Sequence, residues 1–291
     1  MGNLSAVKTV LNFYDELWLI RDKRVDHWPM MNSPWPTIGL CSAYIYICCV
    51  LGPALMKHRP AFELHKPIMV YNVLQVVFSG YVFYEASVAG WLTGNPYLVY
   101  QSMTSIPPRV YFSGYNWLCQ DIDRDSSPDS PGMRMVRACW LYFLGKFLEF
   151  TDTFFFLARK KFDHVSWLQV IHHTTMPLYG YVMVRWLPGG HETFGGTLNS
   201  LVHVFMYSYY FLAAFGPRFQ KYLWWKKYLT VFQMIQFVIV FTRSLIVIFG
   251  VVECGYPRYF SLISASITFI FFLMFMHFYM QSYHKKAKKI A

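Results

Sequence analysis

The chain has 291 residues, of which 55% are hydrophobic and 14% are charged, and its mean hydropathy is +0.29. Soluble domains carry about a quarter charged residues, so this composition argues against a cytosolic globule and excludes disordered and collagen-like chains. The net charge of +11 does not indicate nucleic-acid binding, because the basic residues cluster in short gaps between apolar runs. We therefore predict a single integral membrane domain over residues 1–291.

Seven apolar segments are long enough to cross a bilayer, which needs about 20 residues per helix. They are 36–56, 67–90, 138–158, 164–184, 193–216, 228–251 and 259–283. The pattern predicts an all-α, polytopic fold with seven transmembrane helices.

Lysine and arginine are unequally distributed between the two sides of this predicted bundle. Fourteen lie in the short connections after the first, third and fifth spans and in the C-terminal tail. Another ten are spread over longer stretches on the opposite side. Because short cytosolic segments collect positive charge, the first side is expected to be cytosolic. Residues 1–35 are then lumenal and residues 284–291 form a cytosolic tail.

Two local signals agree with this orientation, and the orientation in turn favours one interpretation of the tail. A glycosylation sequon begins at Asn3, and Cys119 and Cys254 both lie in predicted lumenal loops, where a disulfide can form. Lys288 and Lys289, at the fourth and third places from the end, match a di-lysine retrieval signal of endoplasmic reticulum membrane proteins. The alternative for the tail is a plain basic segment held near anionic lipid.

The third span carries charges that a membrane helix does not normally tolerate. A charge at the bilayer centre costs about 2.5–3.5 kcal/mol, yet Lys146, Glu149 and Asp152 share one helical face there. Lys146 and Glu149 are explained equally well as a self-neutralised pair that pins this helix to a neighbour. Asp152 leaves the set with an unpaired negative charge and is the better functional candidate.

Three further spans carry hydrogen-bonding side chains on one face. In the fourth span Gln169 lies within about 60° of both His172 and His173, so we expect the three side chains to converge on one cavity. The fifth and sixth spans add Asn199, His203, Tyr207, Tyr210, Gln233 and Gln236.

Grouped imidazoles permit two chemistries, as neutral metal ligands or as nucleophile and proton carriers near pH 7. Residues 169–173 match the Gln-or-His-x-x-His-His box of membrane di-iron desaturases. Such enzymes need several further histidine boxes, and none of the ten histidines forms an HxxxH pair. We therefore expect no metal.

The order of these residues resembles the very-long-chain fatty acid elongase (ELO) family, the membrane 3-ketoacyl-CoA synthases. Residues 146–153 fit KxxExxDT, residues 199–210 fit NxxxHxxMYxYY and residues 230–236 fit TxxQxxQ. Residues 169–173 occupy the HxxHH position, with Gln169 in place of the first histidine. The resemblance runs from the second span to the tail.

The resemblance implies condensation of a long-chain acyl-CoA with malonyl-CoA to give 3-ketoacyl-CoA, CoA and carbon dioxide, the first step of microsomal elongation, without a cofactor. The seven helices are expected to enclose a narrow acyl tunnel. His172 is expected to hold the acyl group as an acyl-imidazole, and direct attack with His172 as base is the alternative. The other catalytic candidates are His173 and His203 as carbonyl-positioning and proton-moving groups, Asn199 and Gln236 as oxyanion donors, Asp152 as the group that orients His172 or His173, and Gln169 as a hydrogen-bonding group.

Substrate binding is expected to involve cations at the cytosolic mouth and polar groups inside. The candidates are Arg159, Lys160, Lys161, Lys226 and Lys227 for the CoA phosphates, and Lys146, Glu149, Tyr207, Tyr210, Gln233 and Gln236 deeper in the membrane. The implied partners are the lipid bilayer and the ketoacyl-CoA reductase, hydroxyacyl-CoA dehydratase and enoyl-CoA reductase of the cycle. A homodimer is compatible with this assignment.

A seven-helix receptor or channel without chemistry is the alternative from a different class. The predicted lumenal N-terminus, the seven spans and the loop cysteines would suit a receptor. A receptor gives no reason for histidine, asparagine and glutamine side chains to gather at mid-membrane on three helices. It also leaves the di-lysine tail unexplained, so the enzyme is favoured.

Overall fold

The computed structural model describes residues 16–92 and 115–284, and within these ranges the regular structure is helical, without a strand. The helices are α1 (Trp35–Met56), α2 (His65–Trp91), α3 (Pro131–Leu148), α4 (Phe150–Ala158), α5 (Trp167–Trp186), α6 (Thr193–Ala214), α7 (Lys226–Ile248) and α8 (Arg258–Tyr279). Glu149 has helical backbone angles, so α4 continues α3. The sequon at Asn3 and the di-lysine pair Lys288 and Lys289 lie outside the described residues.

Capping residues explain why two helices start elsewhere than the apolar pattern predicts. The Ser130 hydroxyl accepts a hydrogen bond from the Met133 amide (3.1 Å), so α3 begins at Pro131 rather than at residue 138. The Ser166 hydroxyl accepts from the Gln169 amide (3.2 Å), so α5 begins at Trp167 rather than at residue 164. Hydropathy reports which residues suit lipid, whereas the cap determines where helical hydrogen bonding begins.

The helices pack as a closed ring. In order around the ring, α2 packs on α6, α6 on α7, α7 on α8, α8 on α5, α5 on α3 and α3 on α2. The approach of α2 to α3 needs Gly145, because a Cβ there would lie 2.6 Å from the ring of Phe78. Helix α1 lies outside the ring, against α5 and α4.

Four of the described helices are long and apolar enough to cross a membrane, namely α1, α2, α7 and α8. This is the composition of a multi-pass membrane protein. The other ring helices, α3, α5 and α6, carry the charged and hydrogen-bonding residues of the predicted site. Their polar faces can be satisfied only by other protein groups, which is consistent with a ring of helices that turns those faces inward.

The two ends of the bundle differ in chemistry. At the end that we name the disulfide end, Cys119 before α3 and Cys254 before α8 are joined by a disulfide with a Cα–Cα distance of 5.9 Å. At the opposite end, named the basic end, lie Lys57 after α1, residues 159–161 after α4 and residues 226–227 at the start of α7.

The segment that precedes α1 lies across the disulfide end of α3 and α5. The backbone amide of Asp22 donates to the carbonyl of Arg185 (2.9 Å), and the Arg185 guanidinium donates to the Asp26 carboxylate (2.5 Å). Val25 and Met31 are fully buried against side chains of α3 and α5. This segment therefore covers part of the disulfide end of the ring.

We expect Asp26→Asn to destabilise the protein, because Arg185 is 1% exposed and would lose its carboxylate partner. Burial raises the pKa of Asp26, but hydrogen bonds from Arg185 and Arg21 outweigh it and hold the pKa below its ordinary value of 3.8. A lowered pKa means that the stabilisation is present at neutral pH and is lost as the pH falls below about 4. Thermal unfolding in detergent should show a lower midpoint for Asp26→Asn at pH 7, and equal midpoints at pH 7 would contradict this role.

Candidate active site

A cavity of about 110 Å³ lies within the ring, and all six ring helices contribute to its wall. Most of the wall is apolar, including Val82, Met135, Met176, Val240 and Phe271. The polar side chains of the wall are Tyr142, His172, Tyr179, Glu192, Thr193, Thr197, Asn199, Gln236, Ser264 and Thr268. An apolar space with a few convergent polar groups is the usual form of a small-molecule site.

The histidine that reaches this cavity is His172, whose ring lies 4.9 Å from that of Phe271. Gln169 and His173 are not part of the cavity wall, so the prediction that all three side chains converge on one cavity is wrong. The reason is the helical step of about 100° per residue, which turns adjacent histidines toward different neighbours.

His173 belongs to a hydrogen-bonded chain between α1, α4 and α5. The side-chain Nε2 of Gln169 lies 2.9 Å from Nε2 of His173 and 3.2 Å from the Thr153 hydroxyl. That hydroxyl lies 2.8 Å from the Tyr44 hydroxyl. Nδ1 of His173 is buried and has no hydrogen-bond partner among the described residues. The glutamine that departs from the family motif thus fixes the neighbouring imidazole.

The buried ion pair of α3 is tied to a histidine. Lys146 and Glu149 are 2% and 5% exposed, with Nζ 2.7 Å from Oε1, and the same Oε1 lies 3.2 Å from Nδ1 of His203. The pair is therefore not isolated, because Glu149 contacts both Lys146 and His203. It holds an imidazole, as a carboxylate does in many catalytic sites.

Asp152 was predicted to contact His172 or His173, but the structure places it against Tyr207 instead. Its carboxylate accepts a hydrogen bond from the Tyr207 hydroxyl (2.6 Å). Asp152 lies about one turn beyond Glu149 toward the basic end, and Tyr207 lies one turn beyond His203 in the same direction. The two carboxylates therefore face successive side chains of α6, and the carboxylate that contacts an imidazole is Glu149, which faces His203 rather than His172 or His173.

Asn199 is held with a defined orientation. Its Oδ1 accepts from the Tyr142 hydroxyl (2.9 Å) and from Lys146 Nζ (3.2 Å), and its Nδ2 lies 3.5 Å from Oε1 of Gln236. Sequence reasoning missed Tyr142, although it lies one turn before Lys146 on the same face of α3.

The remaining predicted residues are dispersed. Tyr210 is 40% exposed, and the Gln233 amide lies 3.5 Å from the sulfur of Met206. At the basic end, Lys161, Lys226 and Lys227 are exposed, whereas Arg159 and Lys160 are half-buried. Burial and the nearby charges of Lys161 and Lys226 lower the pKa of His164, which lies in the α4–α5 connection. Cations of this connection and of the start of α7 therefore share one region.

Two features lay outside the prediction. Glu192, in the loop before α6, accepts hydrogen bonds from three serines, and no sequence pattern marked it. Within the described ranges, the group with metal-ligand geometry is Cys119, Asp121 and Cys254, not the histidines. Two of its three members are joined in the disulfide, so they offer no free thiolates.

We expect Glu149→Gln to lower the free energy of unfolding by about 3 kcal/mol or more, because it leaves Lys146 as a buried, uncompensated charge. Asp152→Asn is the matched control, since its amide oxygen can still accept from Tyr207. Thermal unfolding of both variants in the same detergent should show the larger shift for Glu149→Gln. Equal shifts would contradict the assignment of Glu149 as the compensating charge.

The sequence of this chain is similar to that of known proteins. Residues 29–291 match the model of the GNS1/SUR4 (ELO) family. The chain is 44% identical to a very long chain fatty acid elongase of Aedes aegypti, covering 93% of this chain and 69% of the relative. It is 45% identical to elongase 7 of Drosophila melanogaster (92% and 74%) and 38% identical to elongase 4 of Homo sapiens (99% and 85%). The chain therefore belongs to the GNS1/SUR4 (ELO) family.

Proposed function

We propose that this protein elongates very-long-chain fatty acids by condensing a long-chain acyl-CoA with malonyl-CoA. The observation that carries the proposal is the apolar cavity inside the helix ring, with the imidazole of His172 and the amides of Asn199 and Gln236 in its wall. The names of the relatives agree with this activity. The acyl chain would occupy the apolar part of the cavity as a closed tunnel.

His172 is the proposed nucleophile. A ring nitrogen attacks the thioester carbonyl, the C–N bond forms as the C–S bond breaks, and CoA leaves as thiolate and takes up the imidazole proton. Malonyl-CoA then loses carbon dioxide, and its enolate carbon attacks the acyl-imidazole. The C–C bond forms as the C–N bond breaks, which releases 3-ketoacyl-CoA and leaves His172 as an imidazolide. A proton delivered from solvent through the neighbouring histidines then restores the neutral ring. In the alternative, His172 acts as a base and the enolate attacks the thioester directly.

Asn199 and Gln236 are the proposed donors to the developing oxyanion. Two donors, Tyr142 and Lys146, bind Oδ1 of Asn199, so its amide nitrogen points away from them. One amide hydrogen is directed at Gln236 and the other is available to a substrate oxygen. Oriented neutral donors of this kind stabilise a developing negative charge without reorganisation.

His203 and His173 lie behind the cavity wall rather than in it, so of their two predicted roles we propose proton transfer and not the positioning of carbonyls. Glu149 faces Nδ1 of His203, which favours a proton there and leaves Nε2 as an acceptor. Gln169 donates to Nε2 of His173, which places the proton of that ring on Nδ1. The two imidazoles thus present opposite hydrogen-bonding functions, one accepting and one donating.

The CoA phosphates would bind at the basic end. The candidate cations lie in the α4–α5 connection (Arg159, Lys160 and Lys161) and at the start of α7 (Lys226 and Lys227). The effect of Arg159, Lys161 and Lys226 on His164 supports their proximity. Tyr207 is fully buried against Asp152, so its proposed contribution to substrate binding is indirect.

The proposal extends to topology and location. All seven spans, with α3 and α4 forming one of them, would cross the endoplasmic reticulum membrane, the disulfide end facing the lumen and the basic end the cytosol. Residues 1–35 would be lumenal and carry the sequon, and the di-lysine tail 284–291 would be cytosolic. The product would pass to a ketoacyl-CoA reductase, a hydroxyacyl-CoA dehydratase and an enoyl-CoA reductase. A homodimer is compatible with the exposed outer faces.

Mass spectrometry of the purified protein, incubated with a long-chain acyl-CoA alone, tests the covalent route. We expect an acyl adduct on His172 that is absent in His172→Ala and is discharged to 3-ketoacyl-CoA when malonyl-CoA is added. His277→Ala is the control, because His277 is an exposed histidine of α8 that contacts Gln281.

Condensation without an adduct would replace the covalent route by direct attack. If neither an adduct nor condensation appears with any chain length, the proposed enzyme activity is wrong.

Gln169 variants test how His173 is held. We expect Gln169→Leu to lower kcat about 10–100-fold, as loss of a group that orients a catalytic side chain typically does. Gln169→His should retain most of the activity, because an imidazole can also donate to His173, and should change the pH profile of kcat. A Gln169→Leu enzyme with unchanged kcat would show that the contact with His173 is not used.

A further inference from the structure

The cavity wall carries a second polar group, distant from His172. Oε1 of Glu192 accepts from the hydroxyls of Ser244 (3.3 Å) and Ser261 (3.1 Å), and Oε2 accepts from Ser264 (2.6 Å). Glu192 and Ser264 both line the cavity, as does Tyr179. The Tyr179 hydroxyl is buried, makes no hydrogen bond of ordinary length among the described residues and lies beside Ser264.

This carboxylate is satisfied by hydroxyl groups rather than by a cation. No described lysine or arginine nitrogen lies within salt-bridge distance of Glu192. The guanidinium of Arg243 is directed instead at the Trp117 carbonyl and, over 3.2 Å, at Nδ1 of His191. A carboxylate offers about four acceptor positions. Ser261 and Ser264 occupy two of them, and Ser244 shares its single hydroxyl hydrogen between Glu192 (3.3 Å) and the carbonyl of Val240 (3.2 Å).

Helix geometry gives the distance of this group from the reacting atoms. Glu192 lies seven residues before Asn199, Ser264 seven before Phe271, and Tyr179 seven after His172. Seven residues are about two turns on the same face and about 10.5 Å along the axis. An extended chain advances about 1.2 Å per bond, so this distance corresponds to about nine bonds.

We infer that Glu192, Ser264 and Tyr179 form a subsite for a hydroxyl group carried by the acyl chain about nine carbons from the thioester. This inference rests on the proposed function, because it assumes that the acyl chain extends from His172 toward the disulfide end.

Desolvation explains why this subsite would select its substrate. A plain acyl chain places methylene groups against Glu192 and the Tyr179 hydroxyl and displaces water without returning hydrogen bonds, which is unfavourable. A chain hydroxyl can donate to the carboxylate and accept from the Tyr179 hydroxyl. The three serine contacts also connect the start of α6 to α7 and α8, and that structural role alone would produce no preference among substrates.

The test compares three acyl-CoA probes of equal length on the full-length protein: octadecanoyl-CoA, 10-hydroxyoctadecanoyl-CoA and 16-hydroxyoctadecanoyl-CoA. Displacement of a fluorescent acyl-CoA measures binding of each probe, and 3-ketoacyl-CoA release in the presence of malonyl-CoA measures condensation. We expect the 10-hydroxy probe to bind about tenfold more tightly than octadecanoyl-CoA, as one hydrogen bond to a charged group allows. The 16-hydroxy probe has the same polarity beyond the subsite and should show no such gain.

Variants separate recognition from folding. Glu192→Leu should abolish the preference and improve binding of octadecanoyl-CoA, whereas Glu192→Gln keeps hydrogen-bonding groups in place and should retain part of it. Thr197→Val is the matched control, since Thr197 lines the cavity but its hydroxyl bonds to the backbone of its own helix (2.8 Å). It should leave the preference unchanged.

Equal or weaker binding of the 10-hydroxy probe by the unaltered protein would overturn the inference, as would a preference that persists in Glu192→Leu. Because binding and condensation are measured separately, a binding preference without turnover of any probe would support the subsite and refute the proposed condensation. Turnover of all three probes without a binding preference would support the condensation and refute the subsite.

Discussion

The buried carboxylate of Glu149 is the constraint on which the site depends. An ion in an apolar interior persists only when opposite charge and hydrogen bonds surround it. Glu149 meets this requirement by contacting Lys146 on its own helix and His203 on α6. Lys146 in turn reaches Asn199, and Asn199 reaches Gln236 on α7. One compensated charge thereby connects three helices at a single level of the bundle.

The ring arrangement follows from the unequal polarity of the helices. Helices α1, α2, α7 and α8 are apolar enough for lipid, whereas α3, α5 and α6 carry groups that lipid cannot satisfy. Within a closed ring, these groups bond to one another or face the cavity. The cavity is therefore a consequence of the same packing that satisfies the polar helices, with His172, Asn199 and Gln236 in its wall.

Beyond the level of His172, Asn199 and Gln236, the interior of the ring is not uniformly apolar. Two turns nearer the disulfide end, Glu192 and its three serines place a second acceptor in the cavity wall. The space between the two polar levels is lined mainly by apolar side chains, such as Val240 and Ile267. A chain that extends through it meets hydrogen-bonding groups at two separated points, which is a different environment from a plain hydrocarbon tunnel.

The sequence by itself determined the membrane class, the helical segments and the residue types of the site, because these depend on hydropathy and on spacing within one helix. The pairing of Lys146 with Glu149 was predictable for that reason, as they are one turn apart. The family resemblance came from ordered motifs and agrees with the comparisons. Helix starts were predicted less well, since Ser130 and Ser166 set them by capping.

Only the tertiary structure decided which of two adjacent or equivalent side chains makes a given contact or reaches the cavity. Glu149 rather than Asp152 contacts an imidazole, and His172 rather than His173 reaches the cavity. Glu192 became visible only when α7 and α8 brought their serines to it. Each outcome depends on the rotation of one helix against another, and that rotation is set by packing around the whole ring rather than by the residues of a single segment.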